Sequence, residues 1–229
     1  MNSGNEASFH RLLVRIFGVL LIFCPVFLLE MRAADSQSHV NAVMDLDLGA
    51  AYYAGDGVPQ DFDKARYYYQ QAANLGDADG ECALGEMLYE GKGGPQDFLG
   101  AFNLFQQAAT QNNSGAQYYL GLMYFRGDRF VPNFDRALYW FQRGATSDDR
   151  AQFNLGLMYY RGDGVVQNFA TARFWFRRAA DWGNNATAKW YLGTMYLKGQ
   201  GGPRDLAQGL ILLKEAAARG VQGAIDAVK

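Results

Sequence analysis

Histidine, cysteine and clustered carboxylates carry most nucleophilic and metal-dependent chemistry, and this sequence contains few of them. Its histidines are His10 and His39, and its cysteines are Cys24 and Cys82. Because residues 44–229 contain no histidine, Ser-His-Asp and Cys-His catalysis and an ordinary zinc site are excluded there. No S-x-x-K, G-x-S-x-G or phosphate-loop pattern occurs either. The sequence therefore predicts a protein that is not an enzyme and needs no cofactor.

A group of acidic residues approaches the pattern of a calcium site. Asp77, Asp79, Gly80 and Glu86 follow the ligand spacing of an EF-hand loop, but Leu75 stands at the first ligand position. We interpret the segment as a turn between two structural repeats, followed by a helix that carries Glu86. No metal is expected.

The first residues have the features of an export signal. Arg11 and Arg15 precede the apolar run 16–29, which is short for a membrane-spanning helix. Small residues suited to cleavage follow at Ala33–Ala34, so we predict a signal segment at 1–34. The protein would then be periplasmic or secreted in a bacterium, and a retained membrane anchor is the alternative. No other contact with a membrane is expected.

A repeat of about 36 residues is the strongest pattern in the chain. Leu-Gly pairs recur with spacings of 36, 36, 35 and 37 residues, and a second glycine follows six residues after each pair. The leucines are Leu48, Leu84, Leu120, Leu155 and Leu192. The second glycines are Gly55, Gly91, Gly127, Gly162 and Gly199. An acidic or amide residue stands six positions later, at Asp61, Asp97, Asn133, Asn168 and Asp205.

Each column has a structural role in a helix-turn-helix unit. Leu84, Met87 and Leu88 recur at helical spacing and form one apolar face, and Gly91 suits the left-handed end of that helix. Asp97 suits the N-cap of a second helix. The predicted repeats cover about 44–79, 80–115, 116–150, 151–187 and 188–221. A linker at 35–43 precedes them, and a partial capping helix at 222–229 follows. The methionine column (Met87, Met123, Met158 and Met195) is interpreted as core packing.

These columns resemble the Sel1-like repeat family, which is related to the tetratricopeptide repeat. The fourth copy matches the family pattern at Ala151, Leu155, Gly156, Tyr159, Gly162, Gly164, Val165, Asn168, Ala172, Trp175, Phe176, Ala179 and Ala180. The resemblance covers about 44–229 and implies an all-α, right-handed superhelical solenoid of five repeats. It also implies a non-enzymatic adaptor or scaffold. Some cysteine-rich members are reported to bind or cleave β-lactams, so a β-lactam-hydrolysing enzyme is the least favoured alternative.

A partner is expected on the concave side, which the first helices of the repeats form. Three positions per repeat are predicted to lie off the core of these helices. In the later repeats they are Tyr119, Leu122, Arg126, Asn154, Leu157, Arg161, Tyr191, Thr194 and Lys198. We predict that this face binds a protein partner, with a cell-envelope polymer such as peptidoglycan or polysaccharide as the alternative.

Charge is distributed unevenly along the chain. The formal net charge is −2, which argues against a nucleic-acid partner. Residues 40–112 hold 3 Lys/Arg and 11 Asp/Glu, a net charge of −8, whereas residues 113–229 hold 15 and 9, a net charge of +6. The positive half could attract an anionic partner. Head-to-tail self-association of the acidic and basic ends is a further possibility.

Overall fold

The computed structural model describes residues 36–128 and 131–228, and within them the chain folds as successive pairs of helices. The first helices of the five repeats are α1 (36–54), α3 (Ala78–Glu90), α5 (Ser114–Arg126), α7 (Asp149–Arg161) and α9 (Ala186–Lys198). The second helices are α2 (Phe62–Asn74), α4 (Phe98–Thr110), α6 (Phe134–Gly144), α8 (Phe169–Trp182) and α10 (Leu206–Ala218). The short helix α11 (Gln222–Ala227) follows. The predicted signal segment lies outside the described residues.

The ends of the helices are fixed by the residues that the repeat pattern singled out. Asp97 caps α4, because its Oδ1 accepts hydrogen bonds from the backbone N–H groups of Leu99 (3.0 Å) and Gly100 (2.9 Å). Gly91 ends α3 in the left-handed conformation, with φ of 72°, and its N–H donates to the Met87 carbonyl. Equivalent residues cap the other second helices and end the later first helices.

Aromatic rings pack onto glycines inside each hairpin. Phe105, Phe141 and Phe176 of the second helices are fully buried, each against the glycine of a Leu-Gly pair. A Cβ added to Gly121 would lie 2.5 Å from Cδ1 of Phe141, so glycine is what allows α5 and α6 to approach this closely. The predicted all-α solenoid of five helix-turn-helix repeats is confirmed.

The starts of the five first helices differ from those expected. Helix α1 includes residues 36–43, which the sequence analysis placed in a linker. The first helices of repeats two to five begin two residues before the predicted repeat starts, because an Asp or Asn just ahead of each helix is its N-cap. These caps are Asp77, Asn113, Asp148 and Asn185. Within 36–128 and 131–228, no helix has the length and hydropathy needed to cross a bilayer.

Candidate partner-binding face

The first helices lie on the side of the array where successive repeats come closest. Helix α3 contacts α5, and α5 contacts α7, in addition to the contacts within each hairpin. This is the concave side of a solenoid, which is the surface that such proteins offer to partners. We call it the inner face.

Three basic side chains form a row on the inner face. Arg126, Arg161 and Lys198 occupy the same position in α5, α7 and α9, in the last turn of each helix, and all three are exposed. A basic residue there also interacts favourably with the carbonyl end of its own helix. The row therefore presents one cation per repeat over three consecutive repeats, as the sequence predicted.

Two of the predicted face residues are instead part of the core. Tyr119 is 7% exposed and Leu122 is 6% exposed. The ring of Tyr119 stacks on Phe105 of the preceding repeat, with centroids 4.7 Å apart. A first helix inside the array is covered by its own second helix and by the repeats on both sides, so its exposed strip is narrower than helical periodicity suggests. The prediction that these two residues lie off the core was wrong.

The other four predicted residues are half-buried. Tyr191 stacks on Phe176 with a centroid distance of 4.9 Å, and the Thr194 hydroxyl donates to the Trp190 carbonyl. The Asn154 side chain donates to the backbone carbonyl of Arg150 (2.8 Å), and Leu157 packs against the core of the later repeats. These four side chains are therefore only partly accessible to a partner, and the polar groups of Asn154 and Thr194 already form hydrogen bonds within the protein.

A polar cluster around Arg150 was not predicted. Its guanidinium lies 2.8 Å from Asp148 and 3.6 Å from Glu86, and its carbon stands 4.4 Å from the ring centre of Tyr118. The group therefore links the second, third and fourth repeats across the inner face. The contact joins residues 64 positions apart, and no local pattern could reveal it.

The same cluster alters the ionisation of its carboxylate. Burial raises the pKa of Glu86, and the nearby Arg150 offsets only part of that increase. For Arg150, burial acts to lower the pKa, but the hydrogen bond to Asp148 and the surrounding negative groups raise it overall. Arg150 thus stays charged, and its charge is already compensated by carboxylates of this chain.

Arg126 is held in place by a tyrosine of the preceding repeat. The Tyr89 hydroxyl donates to Asp128 (2.5 Å) and accepts a hydrogen bond from Nη1 of Arg126 (3.0 Å). Burial, followed by the interaction with Asp128, raises the pKa of Tyr89 to about 12. The hydroxyl therefore keeps its proton, and the exposed Arg126 side chain is oriented before any partner arrives.

The acidic residues of the calcium-like pattern and the thiol of Cys82 have structural roles in the described chain. Asp77 caps α3, Asp79 accepts from the amide of Asn113 (2.7 Å), and Glu86 pairs with Arg150. Cys82 is buried, and burial raises the pKa of its thiol, so the nucleophilic thiolate form is disfavoured. Across 36–128 and 131–228, no group of three or more potential ligands is arranged to hold a metal ion.

Solved structures that are similar to this chain include Sel1 repeat proteins from different bacteria. The protective antigen c5321 of uropathogenic Escherichia coli strains shares 31% identity, with a TM-score of 0.71 over 86% of this chain, and the chain spans only 42% of that antigen. A Sel1 repeat protein from Oxalobacter formigenes shares 29% identity and a TM-score of 0.75, over 81% of this chain and 76% of the other. One from Klebsiella pneumoniae, at 20% identity and a TM-score of 0.57 over 84% of this chain and 94% of that one, supports the fold alone.

Comparison with curated protein sequences gave no match. The profile of the Sel1 repeat, in contrast, matches this chain five times in succession, at residues 46–77, 78–113, 114–149, 150–184 and 186–221. Together with the paired helices and the glycine–aromatic packing inside each pair, these matches show that the chain belongs to the Sel1 repeat family.

Proposed function

We propose that this protein is an exported scaffold that binds a protein partner along the inner face of its later repeats. Sel1 repeat proteins generally serve as protein-interaction scaffolds. The proposal of export rests on the charged and apolar pattern of residues 1–34. If the signal is cleaved, the intact mass of the protein from the envelope fraction will lack those residues, and a full-length mass would favour the membrane anchor.

The row of Arg126, Arg161 and Lys198 is the observation that carries the proposed binding mode. One exposed cation per repeat suits an extended acidic segment that crosses successive first helices. The net positive charge of residues 113–229 would accelerate its approach, and salt would weaken this effect. Asn154 and Leu157, half-buried on the same helix as Arg161, offer a polar and an apolar contact to the same segment.

Reversal of two charges tests the proposed face. We expect the double variant R126E/R161E to capture at least about tenfold less of its partner from an envelope extract, because two attractive contacts become repulsive. The matched control is R143E/R219E, which makes the same change in net charge at exposed arginines outside the row. Equal losses for the two variants, or no loss for R126E/R161E, would refute the inner face as the binding surface.

An envelope polymer remains a second candidate, and a different surface favours it. The outer sides of α6 and α8 expose Tyr139, Phe174 and Trp182, and Arg178 lies 5.9 Å from the ring centres of both Phe174 and Trp182. An acidic glycan could stack its sugar rings on these exposed aromatic rings and pair its acidic groups with the guanidinium. The aromatic rings of the inner face are largely covered and suit such a ligand less well. Binding of purified acidic polysaccharide that is lost in F174A/W182A and retained in R126E/R161E would support this candidate over the first.

Catalysis is not part of the proposal. A Sel1 repeat solenoid is typically a non-catalytic scaffold. The Cys82 thiol is buried, and its raised pKa disfavours the thiolate that nucleophilic attack requires. We expect no turnover in a β-lactam hydrolysis assay, and measurable turnover that survives C82A would require a different catalytic group.

A further inference from the structure

The N-terminal end of the described array has the surface of a repeat junction that no described residue covers. Leu48 is 40% exposed, although the equivalent leucines of the other four repeats are at most 2% exposed. Gly57 shows the same difference. The glycines at its position in the second and fifth repeats, Gly93 and Gly201, lie against the second helix of the preceding repeat, whereas a Cβ at Gly57 would meet nothing within 4 Å. This end of the described chain therefore has the residues that receive a preceding repeat.

The C-terminal end has the matching feature. Leu206 and Leu210, one turn apart on α10, are 50% and 43% exposed. At the position of Leu210, earlier second helices carry Phe102, which is buried, and Arg173, whose guanidinium donates to the Pro203 carbonyl in the next repeat. Phe102 contacts Tyr124 of the next first helix, and the loop that follows α9 covers this half of α8. On α10 no described residue does so.

The two ends also differ in charge. Residues 36–63 contain five acidic side chains and no lysine or arginine. The stretch 198–219 carries Lys198, Arg204, Lys214 and Arg219 against two acidic residues. Both of those acidic residues are engaged, since Asp205 caps α10 and Glu215 pairs with Lys189. An apolar surface in an acidic setting thus stands at one end, and an apolar surface in a basic setting stands at the other.

We propose that the N-terminal face of one copy stacks on the C-terminal face of a second copy. The contact would place the loop after α1 on Leu206 and Leu210, as the loops after α3, α7 and α9 lie on the preceding second helices. Such a head-to-tail contact is heterologous, so it leaves one free end on each side and allows short chains to grow. Of the inner-face row, only Lys198 lies in the stretch 198–219, and the variant R126E/R161E leaves it unchanged, so the two proposals stand or fall separately.

Two features would keep this association weak. Helix α11 occupies the place of the first half of a sixth first helix, where Ala224 is fully buried beside Leu213 and Ala216. It has only six residues and no side-chain N-cap hydrogen bond, so α1 of an incoming copy could displace it. Met44 is the second feature. It stands where the other first helices have Gly or Ala, namely Gly80, Ala116, Ala151, Ala188 and Ala224.

The size of that residue matters because the internal junctions are close. A Cβ at Gly80 would lie 2.6 Å from Cβ of Ala72 in the preceding repeat. A methionine at the same place would hold two stacked helices apart. Shortening Met44 to alanine should therefore tighten the head-to-tail contact, whereas an ordinary hydrophobic patch would bind less well after the same truncation.

Variants blocked at opposite ends give the decisive experiment. In sedimentation velocity of the full chain, wild type should form oligomers that lengthen with concentration and shorten with salt. L48E and L210E should each be monomeric alone, because each retains a single competent end. An equimolar mixture should form a one-to-one dimer and nothing larger. Both leucines are half-exposed, so the native circular dichroism spectrum should be kept.

Further variants complete the test. V166E changes a highly exposed valine in a loop between the ends and should associate as wild type does. M44A should lower the dissociation constant severalfold. A wild-type dissociation constant above about 1 mM, a mixture that stays monomeric, or blocked variants that associate alone would each overturn the proposal. So would weaker association of M44A. If the dissociation constant exceeds that value, another segment, such as residues 1–35, would be the occupant of the N-terminal face.

Discussion

The ion pair between Glu86 and Arg150 connects distant repeats and adds little to the stability of the protein. The carboxylate belongs to the second repeat and the guanidinium to the fourth, and the rings of Tyr118 and Tyr119 in the third lie beside the guanidinium. Removing the two charges from water costs free energy that their attraction only partly returns, so such half-buried pairs have a small net effect. Their main consequence is to fix the relative position of three first helices.

The raised pKa of Glu86 predicts a pH dependence of stability. Because the folded state binds this proton more tightly than the unfolded chain, the free energy of unfolding falls as pH rises from the ordinary glutamate pKa through the raised one. In E86Q this contribution is absent, so urea unfolding between about pH 4 and 7 should show a smaller fall than in wild type. D181N, at an exposed carboxylate of α8, is the control and should leave the fall unchanged. Parallel curves for wild type and E86Q would contradict the prediction.

The exposure of a residue could be predicted from the sequence where its neighbours in space are also near it in the chain. The outward direction of Arg126, Arg161 and Lys198 follows from the periodicity of one helix, and the structure agrees. Tyr119 failed because its cover comes from Phe105, in another repeat. The Arg150 cluster and the Tyr89 contact with Arg126 lie beyond sequence reasoning for the same reason, since each joins side chains more than 30 positions apart.

At the scale of the helices, the sequence specified the ends of the first helices and the starts of the second helices. An Asp or Asn cap and a left-handed glycine act through hydrogen bonds within a few residues, so their spacing could be interpreted directly. The extent of α1 was missed, because residues 36–43 precede the first copy of the repeat columns and Asp35 alone does not indicate a helix start. Distances between helices were predicted only as a tendency, from the alternation of glycine with aromatic residues.

That alternation can be tested within one hairpin. In G121A the new methyl group would clash with the Phe141 ring, and we expect a loss of about 1–3 kcal/mol in the free energy of unfolding. The fifth repeat places Leu213 opposite Gly193, so the smaller side chain of F141L should relieve the clash. The loss in G121A/F141L should then be less than the sum of the two single losses in a urea-denaturation cycle. Additive losses would indicate that α5 and α6 separate freely instead of packing closely.

At the scale of the whole molecule, stability should depend on position along the array. Most contacts of a repeat are with its neighbours, so an interior repeat is supported on two sides and a terminal repeat on one. The buried core is continuous from Ala65 to Met158, and smaller clusters follow in the later repeats. The first and last repeats are therefore expected to exchange their amide hydrogens fastest.

The Leu-Gly leucines allow this gradient to be measured with one substitution at two places. Leu120 is fully buried between repeats, so L120A should cost about 2–5 kcal/mol, the usual range for a leucine cavity. Leu48 has the same role in the sequence pattern, but no repeat precedes it among the described residues, and L48A should cost less than about 1 kcal/mol. Urea unfolding at a concentration low enough to keep the protein monomeric would give both values. Equal costs would mean that another part of the chain covers Leu48 as a preceding repeat would, and the N-terminal face would then be closed to a second copy.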